Sequence, residues 1–260
     1  MVKLDGSPVA AADLLPLALT SYAHFTSMRV DADGSIRGLA LHMERLVRDC
    51  KTVWGAELDT GLVRDYVRQA LDGQSGPCVV RVTLTDPTVE VGHPADADEP
   101  HILVSVRGAG AMPPEPLRTM SVPYVRDLPE VKHCGLFGAL HARRTAQLAG
   151  YDDALFVGPD GFVSEGGTWN VGFVDHEGTV VWPQARVLPG VTMALLQRHA
   201  EYRTATVTLE EAKGMAAAFA TNTSIGVRPL SAIDGTEFPT EHPTLSQLQE
   251  TYLSVPGEAP

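Results

Sequence analysis

The stretch DDALFVGPDGFVSEGGTWNVGF, residues 152–173, holds three strand-like runs separated by turn residues. ALFV and FVSE flank Gly-Pro-Asp-Gly, and NVGFV follows Gly-Gly-Thr-Trp. Gly, Pro and Asp at such points supply the φ values and local hydrogen bonds that reverse a chain. With TVVWP at 179–183 after DHEG, the segment predicts a strand meander. One carboxylate, Glu165, ends an apolar strand just before the second turn. A buried, unpartnered carboxylate costs several kcal/mol, so Glu165 raises the question of what it faces.

Working outward, strands and helices mix without a strict βαβ rhythm. VKLDGSPV (2–9) predicts a hairpin about Asp5-Gly6, a brief helical patch follows at 11–18, and FTSMRV with SIRGLAL predicts a second hairpin about DADG. From Leu46, the positions Leu46, Val47, Cys50, Val53 and Trp54 fall on one helical face. A second helix carries Leu62, Val63, Tyr66, Val67, Ala70 and Leu71, with Asp59 or Thr60 as its cap. CVVRVTLT and HILVSVRG read as strands around a polar loop, and helices are expected at about 134–149 and from Val191. The fold class is therefore α+β. GAGAMPPEP concentrates small residues and prolines, which predicts an N-terminal domain at 1–107, a linker at 108–116 and a C-terminal domain at 117–260 that carries Lys132.

Composition narrows the function classes. With 260 residues, 44% apolar and 20% charged, the chain has the make-up of a soluble globular protein large enough for two cores. Its net charge of −12 argues against a nucleic-acid partner or an anionic membrane, whose binding rests on clustered Lys and Arg. No apolar run reaches membrane-spanning length, and an aspartate and a proline interrupt the only candidate leader. Three widely spaced cysteines, Cys50, Cys78 and Cys134, suit neither a disulfide framework nor zinc, so a reducing cytoplasm is expected. The nine histidines show no metal-ligand spacing, and no metal is expected. P-loop, zincin and nucleophile-elbow signatures are absent.

Several short motifs could carry chemistry. VLPGVTMALLQRHA sets Pro-Gly before a helix, whose first amides can hold a phosphate, although Pro-Gly is also an ordinary turn. TNTSIG (221–226) offers hydroxyls and an amide to an anion, or simply makes a polar turn. His42 and Arg45 in LHMERL lie three apart on a helix; Arg45 can clamp an anion, or both can line a solvated face. Lys132 in PEVKHCG becomes a nucleophile only if its surroundings depress its pKa, and most lysines are merely solvated.

Taken in order, LHMERL, VKH, AGYDDALFVGPDGFVSEGGTWNVGF, VLPGVT and FATNTS followed by IDG resemble the class IV aminotransferases over about residues 22–235. These are the fold-type IV enzymes of pyridoxal 5′-phosphate (PLP), and they include branched-chain and D-amino-acid aminotransferases and 4-amino-4-deoxychorismate lyase. The resemblance implies two α+β domains with PLP in the cleft between them, and a homodimer. It matches Lys132 to the Schiff-base lysine, Glu165 to the glutamate facing the pyridine nitrogen, and Arg45 to the phosphate-binding arginine. The amides of Val191 and Thr192, with Asn222, Thr223 and Ser224, match the rest of a phosphate cup, and Asn170 matches an asparagine near the cofactor. The glycines after Glu165 are expected to let the backbone pass close to the ring.

Some positions depart from the family pattern. Phe25 stands where D-amino-acid aminotransferases have a tyrosine, and Gly135 where an asparagine is usual. FTSMRV and VKH look closer to the lyase branch, yet the lyase's Arg- and Gly-rich loop is replaced by TLTDPTVEVGHP, and Val89 occupies a carboxylate-binding arginine's place. Arg29, His93, Arg107 and Arg126 are the candidate replacements, unless the donor is an amine without a carboxylate. The expected activity is transamination between a small amino donor and a keto acceptor through Lys132. A PLP-dependent C–C lyase is the alternative, and a non-catalytic scaffold on the same fold is the third.

Overall fold

Along residues 78–85 every second side chain, Cys78, Val80, Val82 and Leu84, joins one apolar cluster with Leu39, Met43, Leu46, Val63, Val67 and Ala70. The intervening Arg81 and Thr83 fall on the opposite face, as strand alternation requires. The helical members recur every three or four residues, so two helices lay their apolar stripes on one face of a sheet. Each such side chain contributes about 1.5–3 kcal/mol by leaving water.

The computed structural model describes residues 1–260, which divide into two compact units. The first comprises residues 1–110, 131–135 and 256–260, and the second comprises 111–130 and 136–255. The division at 110/111 falls within the expected linker. One expectation is corrected: Lys132 belongs to the first unit, because residues 132–134 pair with a strand of that unit.

In the first unit the elements are β1 (Val2–Leu4), β2 (Ser7–Pro8), α1 (Leu15–Thr20), β3 (His24–Val30), β4 (Ile36–Arg37), α2 (Leu39–Trp54), α3 (Thr60–Leu71), β5 (Cys78–Thr85) and β6 (His101–Gly108). The antiparallel sheet has the order β2-β1-β6-β5-β3. The first hairpin forms as expected, with Asp5 and Gly6 both at positive φ. The second does not. Gly38, at φ 68, turns the chain directly into α2, which begins at Leu39 and carries His42 and Arg45 on its first turns, and two-residue β4 pairs with Gly257–Glu258. Asp59 caps α3, accepting from the amides of Gly61 and Leu62.

The second unit contains β7 (Leu117–Pro123), α4 (Phe137–Leu148), β8 (Asp153–Val157), β9 (Val163–Gly166), β10 (Asn170–Val174), β11 (Val180–Pro183), α5 (Val191–His199), β12 (Tyr202–Ala205), α6 (Leu209–Lys213), β13 (Ala217–Asn222), β14 (Gly226–Ile233), β15 (Thr236–Glu237) and α7 (Pro243–Ser254). The meander read from residues 152–183 is β8 to β11. The order β10-β13-β14-β7-β8-β9 returns to β10, so these strands close into a small barrel. Closure rests on one register pair, Asn170 opposite Glu165. Leu155, Val171, Phe173, Ala218, Ala220 and Leu230 belong to its core. α4 packs on β7 and β8 through Ala139, Ala142 and Ala146 against Phe156. α4 starts at Phe137, later than the expected 134, because residues 132–134 pair with the strand that begins at His24. No helix is long and apolar enough to cross a membrane.

Candidate active site

In the first unit Lys132 is held by its own backbone. Its carbonyl accepts the N–H of Phe25 at 2.8 Å, the Cys134 N–H donates to the carbonyl of Ala23 at 2.8 Å, and His133 faces His24 in an antiparallel bridge. Residues 132–134 thus extend the sheet at the edge of β3. The Lys132 N–H donates to Asp49 Oδ2 at 3.0 Å, and Arg48 holds Asp49 Oδ1 through Nε and Nη2. Asp49 is fully buried.

The two faces of β3 present different chemistry. Thr26 lies toward α2: its Oγ1 is 2.6 Å from His42 Nδ1 and receives Arg45 Nη1 at 3.5 Å. His42 and Arg45 are buried, at 0% and 5% exposure, which excludes the solvated helix face as an account of them. Burial first, then the charges of Arg45 and Lys132, hold His42 neutral, well below the usual histidine range. Burial lowers the Arg45 pKa to about 10, with Asp49 one turn along opposing the shift. Arg45 therefore remains a cation, enclosed and aligned through a hydroxyl on the neighbouring strand.

On the other face, Lys132 Nζ sits over the Phe25 ring, 4.9 Å from its centroid. The Arg81 guanidinium stacks on the same ring at 3.5 Å, so two cations share one buried aromatic. Arg81 donates to Thr83 Oγ1 at 3.2 Å and to Cys134 Sγ at 3.2 Å, and no carboxylate pairs with it. Burial raises the Cys134 thiol pKa, with Arg81 and Lys132 acting against that shift. Arg81 and Asp49 escaped the sequence reading. Their signal was a charge set singly in an apolar strand, and a charge on the apolar face of a helix.

Arg29, Arg107 and His93, candidates for a substrate carboxylate, lie in the first unit. Arg29 faces Asp31 at 3.6 Å and donates to the Gly110 carbonyl, Arg107 is exposed, and His93 is exposed in the loop after β5. That loop folds onto the end of α2, where Val89 and Ala97 are buried against Cys50 and Trp54. Val89 is an apolar plug, which is why no charge stands there.

In the second unit Glu165 is 4% exposed and held on both oxygens. Arg126 Nη1 donates to Oε1 at 3.2 Å; the Leu188 N–H at 3.3 Å and Asn170 Nδ2 at 3.5 Å reach Oε2. Arg126, expected at a substrate carboxylate, is thus an ion-pair partner of Glu165. Asn170 also donates to the Leu188 carbonyl at 2.8 Å. The glycines after Glu165 stand against bulky neighbours of their own unit. A Cβ on Gly166 would lie 2.0 Å from the Trp169 indole, and one on Gly167 would lie 2.9 Å from Asp153 Oδ1. Trp169 Nε1 donates to Asp153 Oδ2 at 2.8 Å, and Arg143 pairs with the same carboxylate. The turn is shaped by this brace, and Gly166 makes room for an indole.

Asn170 faces Thr221 across β10 and β13, so Glu165, Asn170 and Thr221 form one row over three strands. Two residues beyond the row lies Thr223. Asn222 is engaged in the turn itself: its Oδ1 accepts from the amides of Ser224 and Ile225, and its Nδ2 donates to Thr168. α5 begins after Gly190 with no side-chain cap, leaving the first-turn amides of Val191 and Thr192 without intrahelical acceptors. Thr192 Oγ1 and Thr221 Oγ1 are buried with no hydrogen-bond partner. Within this unit the orphaned hydroxyls and the helix-start amides form a donor set that suits a phosphate ester. The doubly held carboxylate of the same unit suits a protonated ring nitrogen, and in the first unit the enclosed Arg45 suits an anion.

The model of the family "Amino-transferase class IV" matches residues 23–233. No curated protein sequence matches. Among solved structures, the branched-chain aminotransferase from Thermoproteus uzoniensis with norvaline superposes with a TM-score of 0.83 at 22% identity, covering 97% of this chain and 93% of the other. A Legionella pneumophila protein assigned as a 4-amino-4-deoxychorismate lyase gives 0.82 at 22% identity, covering 93% of each chain. The PLP-bound form of a "hypothetical aminotransferase" from Mycobacterium tuberculosis gives 0.83 at 18% identity, covering 98% of each. Identities this low show a shared fold.

Proposed function

Because this chain belongs to the class IV aminotransferases, a PLP-dependent family, we propose that it is a PLP-dependent aminotransferase acting on a small amino acid or amine. The observation that carries this reading is the setting of Lys132. Its ammonium shares the Phe25 ring with Arg81, a guanidinium that no carboxylate neutralises. A neighbouring cation disfavours the charged amine, which is what a lysine nucleophile requires. The same guanidinium suits an amino-acid carboxylate.

Bound PLP would supply an electron-withdrawing ring that stabilises negative charge at the carbon losing its proton. Arg45, the Val191 and Thr192 amides, the Thr192 hydroxyl, Thr223 and Ser224 would bind its phosphate. Glu165 would accept a hydrogen bond from its ring nitrogen, with Asn170 fixing the carboxylate's direction. Lys132 Nζ would hold the cofactor covalently and, once displaced by the donor amine, carry the proton from the substrate's α-carbon. Arg81 would orient the substrate carboxylate, and the Phe25 ring would exclude water from the amine's approach.

The lyase reading has its own support: the lyase-like FTSMRV is β3, the strand against which Lys132 is laid. One experiment separates the two. Protein loaded with PLP is offered single amino donors while conversion of the cofactor to pyridoxamine 5′-phosphate is followed, and separately offered aminodeoxychorismate with no keto acceptor. Conversion by amino donors alone is the expected result. Pyruvate and 4-aminobenzoate released without an acceptor would make this a lyase. A homodimer in the cytoplasm is part of the proposal; light scattering reports the first, and its three free cysteines accord with the second.

A further inference from the structure

Arg126 and Glu165 form an ion pair whose side chains are 8% and 6% exposed. The guanidinium also donates to the Pro129 carbonyl at 3.1 Å, which ties it to its own loop. A carboxylate buried alone takes up a proton, whereas a guanidinium does not release one, so contact between them favours the ionised acid. The other carboxylate oxygen is steered by two neutral donors, the Leu188 N–H and the Asn170 amide. Arg126, Leu188 and Asn170, all of this unit, thus engage both carboxylate oxygens.

We propose that Arg126 is a positioning residue that lowers the basicity of Glu165, so that the proton shared between this carboxylate and the cofactor's ring nitrogen stays on the nitrogen. The inference rests on the PLP reading above. Its logic is a competition between two bases for one proton. A carboxylate already in contact with a guanidinium competes weakly, and a protonated ring withdraws electrons more strongly than a neutral one. A guanidinium that was only a structural brace would alter stability and leave that proton where it was.

The test uses intact protein loaded with PLP labelled with ¹⁵N at the ring, since the nitrogen's chemical shift reports its protonation directly. Borohydride trapping and peptide mass spectrometry first ask whether Lys132 carries the cofactor; absence of label there overturns the cofactor reading and this inference with it. With label present, wild type should show a protonated ring nitrogen and Arg126→Gln a signal moved toward neutral pyridine, with Arg126→Lys restoring it. Should Arg126→Gln fail to fold, Arg126→His carries the same comparison within one protein. Its ring signal should be protonated at low pH and move as the imidazole loses its charge, while wild type stays constant. A signal in Arg126→Gln identical to wild type, or one in Arg126→His that ignores pH, overturns the assignment to Arg126 alone.

Discussion

The carboxylate of Asp49, buried on α2, receives the backbone N–H of Lys132 at 3.0 Å, so a helix from early in the chain fixes a lysine far along it. Asp49→Leu should destabilise the protein by about 1–3 kcal/mol, the cost of an unsatisfied buried donor. It should also slow capture of a reactive aldehyde by Lys132. Asp49→Asn keeps an acceptor oxygen and should recover most of both. Denaturant midpoints and trapping rates measure the two effects, and equal losses in Leu and Asn variants would show that charge, rather than the hydrogen bond, matters.

Gly190 has no room for a side chain. A Cβ there would meet Asn170 Oδ1 at 2.0 Å. Gly190→Ala should therefore cost about 1–3 kcal/mol by overpacking and weaken phosphate-ester binding at the start of α5. Adding Asn170→Ala should return part of the stability, a non-additive result visible in a double-mutant cycle of thermal unfolding.

Arg81→Leu should reduce kcat/KM for amino acids on the order of 10- to 100-fold, the range of a charge-assisted hydrogen bond. Amines lacking a carboxylate should be affected far less. A matched loss for both substrate types would remove Arg81 from substrate recognition.

Acid should unfold this protein partly through buried histidines. Burial lowers the His24 pKa to about 3 from 6.5, and neither ring nitrogen has a hydrogen-bond partner. The unfolded chain then binds the proton more readily, so stability is full above pH 6.5 and falls as pH drops toward 3. His24→Phe should flatten the dependence of the unfolding midpoint across that window. His42, depressed by burial and by two cations, should contribute in the same direction.

Much of this was legible before any coordinates. The meander, the helix at Val191 and the α+β class followed from turn residues and periodicity, because local chemistry fixes them. Glu165 and Asn170 were found as a motif, and the closing pair of the barrel brings them opposite each other. What stayed hidden depended on pairing between distant segments. The Lys132 strand leaves its sequence neighbours for β3, and Arg126 turns toward Glu165. The glycines at 166 and 167 stand out in the sequence, but periodicity names no neighbour, and only the fold shows Trp169 and Asp153 where a Cβ would lie.

The division of the chain at 110/111, 130/131, 135/136 and 255/256 has a practical corollary. Two cores do not make two separable genes. A fragment ending at residue 110 would lack the segment that pairs with the Phe25 backbone and the terminal strand that pairs with β4, leaving sheet edges bare. Such a fragment should aggregate when expressed alone. A shuffling library that swaps whole halves between relatives would need to carry residues 131–135 and 256–260 with the N-terminal parent.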